Sequence, residues 1–166
     1  MENFSGSFWG SFLGFCFALV LFFFQEVFRD KRKEKNIRKN LERELVFNVK
    51  LLEEFEKEIE SAINASNANN EINVYLKLSL FRWFFLNKFY EEGMVGKYLD
   101  DDDILNIVDL MPRYTIQSEN YVNNISVQRN SNTIEHSEFQ RKFSYEKGEI
   151  HKNKKTLQKV LQKIKI

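Results

Sequence analysis

Arg82, Trp83, Lys88, Arg113, Tyr114 and Arg129 are the residues of this sequence whose types suit binding of an anionic ligand. A guanidinium offers a planar fork of N–H donors that matches phosphate oxygens, and an aromatic ring gives a base a face to stack on. Together they would accept a nucleotide, for example a cyclic one. Arginines spread along helices also serve as solvated or Glu-paired surface positions, so these six read equally as the outer face of a bundle. Nucleophilic and metal chemistry find less support. His136 and His151 have no partner at ligand spacing, and Cys16 sits in an apolar run. No HExxH, CxxC, GxSxG, Walker or GxGxxG pattern occurs. The expectation is a protein that is not an enzyme and carries neither metal nor cofactor. Asp100, Asp101, Asp102 and Asp103 are consecutive, so on a helix their carboxylates diverge, and the spacing of a calcium loop is absent. They read as an N-cap with favourable charge at a helix's positive end.

The element that must position everything else is residues 8–28, FWGSFLGFCFALVLFFFQEVF. At 1.5 Å per residue this run makes about 30 Å of helix, the thickness of a bilayer's hydrocarbon core. It has no polar face, so lipid is its expected surrounding. MENFSGS precedes it without a basic residue, and RDKRKEKNIRKN follows. The positive-inside rule then places the N-terminus outside and the remainder in the cytoplasm, at the inner membrane. A cleaved secretory signal, the competing reading, would need a basic leader, a shorter apolar core and a small-residue cleavage site. The sequence thus divides into a transmembrane anchor, 1–29, and a cytoplasmic helical domain, 30–166. Gly6, Gly10, Gly14 and Ala18 recur every fourth residue. On a helix they share a face where a second backbone could approach closely, which points to a homo-oligomer.

Beyond the anchor the pattern is all-α. Ile37, Leu41, Leu45, Val49, Leu52, Phe55, Ile59 and Ile63 form one stripe at steps of three and four, so residues 30–64 read as a long helix. Lys31, Arg32, Lys33 and Lys35 lie beside the membrane, where they could attract anionic headgroups or simply fix topology. Residues 61–70, SAINASNANN, read as a loop, and 71–90 as a helix central to the cytoplasmic core. A second membrane crossing at 71–90 is the alternative, opposed by Lys77, Arg82 and Lys88. Gly93 and Gly96 end that helix. Residues 114–130 read as a helix, with a small hairpin as the alternative. The C-terminal stretch is basic and amphipathic, interrupted near Gly148; it is the last helix of a bundle or a helix lying on a membrane.

The layout resembles a broad set of small bacterial membrane proteins. The shared features are a short outside N-terminus, a glycine-rich span and a basic stop, then a long helix with an EL-x-x-N-like motif, an aromatic helix and a G-x-x-G turn. The EL-x-x-N-like motif is Glu44-Leu45-Val46-Phe47-Asn48 here, and the turn runs from Gly93 to Gly96. That set includes membrane effectors of antiviral defence, among them type III CRISPR accessory proteins gated by cyclic oligoadenylate. The resemblance implies a single anchor and a cytosolic sensing domain that perturbs the membrane on receiving its signal. A passive anchor or scaffold for a cytoplasmic protein partner is the other expectation.

Overall fold

The computed structural model describes residues 3–165, with side chains from residue 9 onward. The helices are α1 (Asn3–Asn67), α2 (Phe84–Glu91), α3 (Val95–Tyr98), α4 (Asp101–Leu110), α5 (Ile116–Asn130) and α6 (His136–Ile164). Single 3-10 turns occupy Leu78–Leu80 and Met111–Arg113, and the described residues contain no strand. The chain divides into two compact units, one up to Ile37 and one from Arg38 onward.

The first unit is the N-terminal part of α1. Trp9, Phe15, Phe17 and Phe23 stand exposed, and the helix is long and apolar enough to cross a membrane. Gly10 and Gly14 have open space where a Cβ would stand. Gly6 falls where side-chain surroundings lie outside the described residues. Lys31, Arg32, Lys33 and Lys35 are all exposed.

The second unit is built on the apolar stripe of α1. Leu41, Leu45, Val49, Leu52, Phe55 and Ile59 are buried. The stripe then continues through Ala62 and Ser66, each 1% exposed, so residues 61–67 extend the helix instead of forming a loop. Small residues there keep helical spacing while taking little room. Asn69, with φ of 53°, turns the chain just beyond.

Residues 71–90 do not form the single helix expected of them. Residues 71–77 contain no helix, turn or bend, and only Phe84–Glu91 is α-helical. Ile72, Leu76 and Leu78 are buried while Asn73, Tyr75 and Lys77 are exposed. That is the period of two of an extended chain. The aromatic density of the segment concealed this alternation.

Elsewhere the helical reading holds. Residues Ile116–Asn130 are helix, not hairpin, and Thr115 caps them by accepting the Ser118 N–H at 3.3 Å. Helix α6 runs unbroken through Gly148 and buries Phe139, Phe143, Ile150, Leu157, Val160 and Ile164. Its buried face packs within the second unit. Asp100 and Asp103 form a reciprocal capping box at the start of α4. Arg38 closes the other end of α6: its guanidinium donates to the carbonyls of Ile164 and Lys165 at 3.1–3.2 Å and lies over Tyr98.

Asp103 is 1% exposed yet charged. Lys159 reaches it at 2.8 Å, and Lys163 bridges it to Asp100. The Lys163 ammonium and the capping bond hold the Asp100 carboxyl at about 2, below its ordinary 3.8. Burial alone would raise Asp103, but the two lysines and the cap outweigh it and leave it lowered. A depressed carboxyl stabilises the fold above its unfolded pKa and loses that contribution as pH falls through the folded one. Thermal melting of the full-length protein in detergent should therefore weaken as pH falls from about 4 to about 2. Asp103→Asn should lower stability at neutral pH by about 2 kcal/mol and flatten that acid limb.

Candidate functional site

Five side chains hold the non-helical segment, and they determine where the candidate binding residues stand. Asn48, fully buried on α1, donates from Nδ2 to the Arg82 carbonyl at 2.7 Å and accepts the Arg82 N–H at 3.0 Å. Asn123 brackets Leu76 in the same two-way manner, at 2.8 and 3.0 Å. Asn130 brackets Ile72 at 2.9 Å in both directions. Glu119 accepts from the Ser79 N–H at 2.8 Å, the Ser79 hydroxyl at 2.6 Å and the Tyr75 hydroxyl at 3.2 Å. These bonds, the Ser79 hydroxyl first, keep its carboxyl below the usual range. An amide carries one acceptor and donors on one plane, so it pairs with an extended residue as a neighbouring strand would.

Glu44 completes the set. It is 6% exposed, and its carboxylate accepts the N–H groups of Phe85 and Leu86 at 2.9 and 3.0 Å. Trp83, the residue preceding α2, gives no side-chain cap, so Glu44 supplies one from α1. Glu44 and Asn48 are the outer letters of the EL-x-x-N-like motif. One turn apart on α1, they fix the start of α2 and the residue two before it.

This anchoring leaves a groove of about 480 Å³ lined by Asn40, Arg43, Glu44, Phe47, Arg82, Trp83, Phe84 and Phe85. The Arg82 guanidinium lies 4.2 Å from the centre of the Phe47 ring. Phe84 is 66% exposed and meets Phe85 edge-on at 4.9 Å. Arg43 donates to the Asn40 amide oxygen at 3.5 Å, and neither it nor Arg82 forms an ion pair among the described residues. The Trp83 indole nitrogen is buried without a partner there. Two guanidiniums therefore face a single carboxylate that is already occupied by backbone donors.

Of the six residues singled out for anion binding, Arg82 and Trp83 meet in this groove. The others stand elsewhere. Lys88 is in the last turn of α2. Arg113 pairs with Glu149 at 2.8 Å. Tyr114 is buried, stacked 3.8 Å from Phe81, and its hydroxyl accepts from Asn153 at 2.9 Å; burial pushes its phenol up. Arg129 donates to Ser66 and Asn132 beside a polar cavity of about 370 Å³. Sequence reasoning missed Arg43 and Phe47, although Phe47 follows Arg43 by one helical turn and so shares its face.

Both histidines have partners. His151 meets Glu56 at 2.9 Å, and His136 meets the Ser66 hydroxyl at 3.0 Å. The latter has the spacing of a nucleophile and its base, but Ser66 is 1% exposed, which keeps a substrate carbonyl from its oxygen. No group of three or more His, Cys, Asp or Glu among the described residues could hold a metal.

Compared with family models, curated proteins and solved structures, the chain matches none.

The groove depends on the Asn48 bracket. Asn48→Ala strands two backbone groups of Arg82 and should lower stability by about 2–3 kcal/mol, read by thermal melting. Asn48→Asp should fare no better, because a carboxylate accepts the Arg82 N–H but repels its carbonyl.

Proposed function

We propose that this protein is a membrane-anchored, homo-oligomeric sensor or effector whose helical domain takes an anionic, ring-bearing ligand of the nucleotide class. The observation that carries this reading is the groove, with two arginines that form no ion pair among the described residues, three phenylalanines and a tryptophan around one opening. Guanidiniums neutralise phosphate oxygens, and exposed rings stack bases. A cyclic oligonucleotide would satisfy both, in keeping with the resemblance to cyclic-oligoadenylate-gated effectors of antiviral defence. The domain would sit on the cytoplasmic side of the inner membrane, with the N-terminus outside, as the basic run after the apolar stretch favours. Asn40, Arg43, Glu44 and Phe47 belong to α1, the helix that also carries the apolar stretch. A ligand that prefers one arrangement of α1 would shift the population towards it, and membrane perturbation would follow.

A passive scaffold is the second reading, and Phe84 favours it. A ring 66% exposed at the lip of an apolar groove suits a protein partner as well as a base.

Cyclic oligoadenylates and mononucleotides titrated against the detergent-solubilised protein test the first reading. Binding is expected to weaken with salt and to fall at least about tenfold in Arg43→Glu and in Arg82→Glu. Failure of every nucleotide to bind would leave the scaffold.

Gly10 and Gly14 have open space around them, which supports close helix pairing. Gly10→Leu and Gly14→Leu should reduce oligomer size and any toxicity on overexpression. If both measurements stay at wild-type values, this face does not assemble the protein.

A further inference from the structure

Residues 72–76 use only one edge of their backbone. An extended residue turns its N–H and C=O to one side, and the next residue turns them to the other. Ile72 and Leu76 direct theirs at Asn130 and Asn123 of α5. Asn73 and Tyr75 therefore direct theirs away from α5. Among the described residues no hydrogen bond reaches the backbone of either. Both residues on this edge are exposed, Tyr75 by 63%. No proline blocks it, and it is neither bulged nor bent.

We propose that this edge pairs with the same edge of a second copy of the chain, antiparallel and centred on Val74. The sequence EINVYLK is suited to that partner above others. About Val74, Glu71 of each copy lies opposite Lys77 of the other, twice over. Asn73 lies opposite Tyr75. Asn73 and Tyr75 are residues whose backbone groups face outward, as the hydrogen-bonded positions of an antiparallel ladder require, whereas the Lys77 carbonyl already accepts the Leu80 N–H at 3.1 Å, so the Glu71–Lys77 pair contributes side-chain charge alone. Ile72, Val74 and Leu76 fall on the non-bonded positions. Centring on Asn73 or Tyr75 keeps the outward groups in register but separates the charges. Charge and backbone polarity thus select one register.

A two-stranded ribbon is marginal alone in water. Confinement of two anchored chains to one membrane raises their effective concentration, and in this respect the pairing rests on the proposed anchoring.

Cysteine cross-linking in lipid vesicles tests it, with Cys16→Ser as background. Across a non-bonded antiparallel pair the two Cα atoms lie within disulfide range. Val74→Cys is expected to oxidise to a covalent dimer, and Asn70→Cys to give several-fold less. Adding Glu71→Lys or Lys77→Glu sets like charges opposite each other and should cut the dimer about tenfold. Co-expressing the two charge variants restores both attractive pairs between unlike chains, so the dimer should return. A local loss of folding would not be rescued by the other variant chain. Val74→Cys cross-linking no better than Asn70→Cys, as an extended peptide from another protein on this edge would give, overturns the proposal. So does a mixture as poor as its components. Recovery of the protein from the soluble fraction would instead refute the anchoring, whatever the cross-links show.

Discussion

Side-chain amides stand in for a β-sheet in this protein. Asn48, Asn123 and Asn130 each satisfy both backbone groups of one extended residue, and Glu119 and Glu44 take three more N–H donors. A buried backbone group without a partner costs about as much as a lost hydrogen bond, so an extended segment crossing a helical core needs such partners. With them, Phe81 lies flat against Tyr114, and Arg82 and Trp83 are delivered to one lip of the groove. Without them, the segment would expose either its backbone or its apolar side chains.

Charge secures two further helix ends, the start of α4 and the end of α6, by the same logic. Asp100 and Asp103 satisfy the first N–H groups of α4 and hold the lysines of α6, while Arg38 takes the final carbonyls of α6. Glu56 gathers His151 and Lys154 midway along α6. The lysine, histidine and Arg38 contacts join segments distant in sequence, and those at Asp103 and at the end of α6 place a charge where a helix end or a buried partner offsets its desolvation.

Much of this was legible beforehand. The stripe from Leu41 to Ile59 reads directly from its spacing, and the acidic run at Asp100 announces a helix start. The α5 helix was legible from its helical neighbours and not from its own pattern, and the structure adds Thr115 as its cap. The extended segment was not. Phe81, Phe84, Phe85 and Phe89 imitate a helical face, and that density masked the alternation of Ile72, Leu76 and Leu78. The partners that stabilise an extended form lie 34 to 58 residues away, beyond the reach of any local pattern. The groove was half legible for the same reason. Arg82 and Trp83 stand out as neighbours in sequence, whereas Arg43 and Phe47 join them only through a tertiary contact.

The brackets also impose an order on folding. Helices α1 and α5 are held by bonds between near neighbours and close in microseconds or less. Asn48 grips the segment from α1, and Asn123 and Asn130 grip it from α5, so it is held along its length only once both helices exist. The extended segment must therefore be threaded late, after loop closures that span much of the domain. Until then its apolar residues stay open to any passing chain, and this is the stage at which the domain is most adhesive.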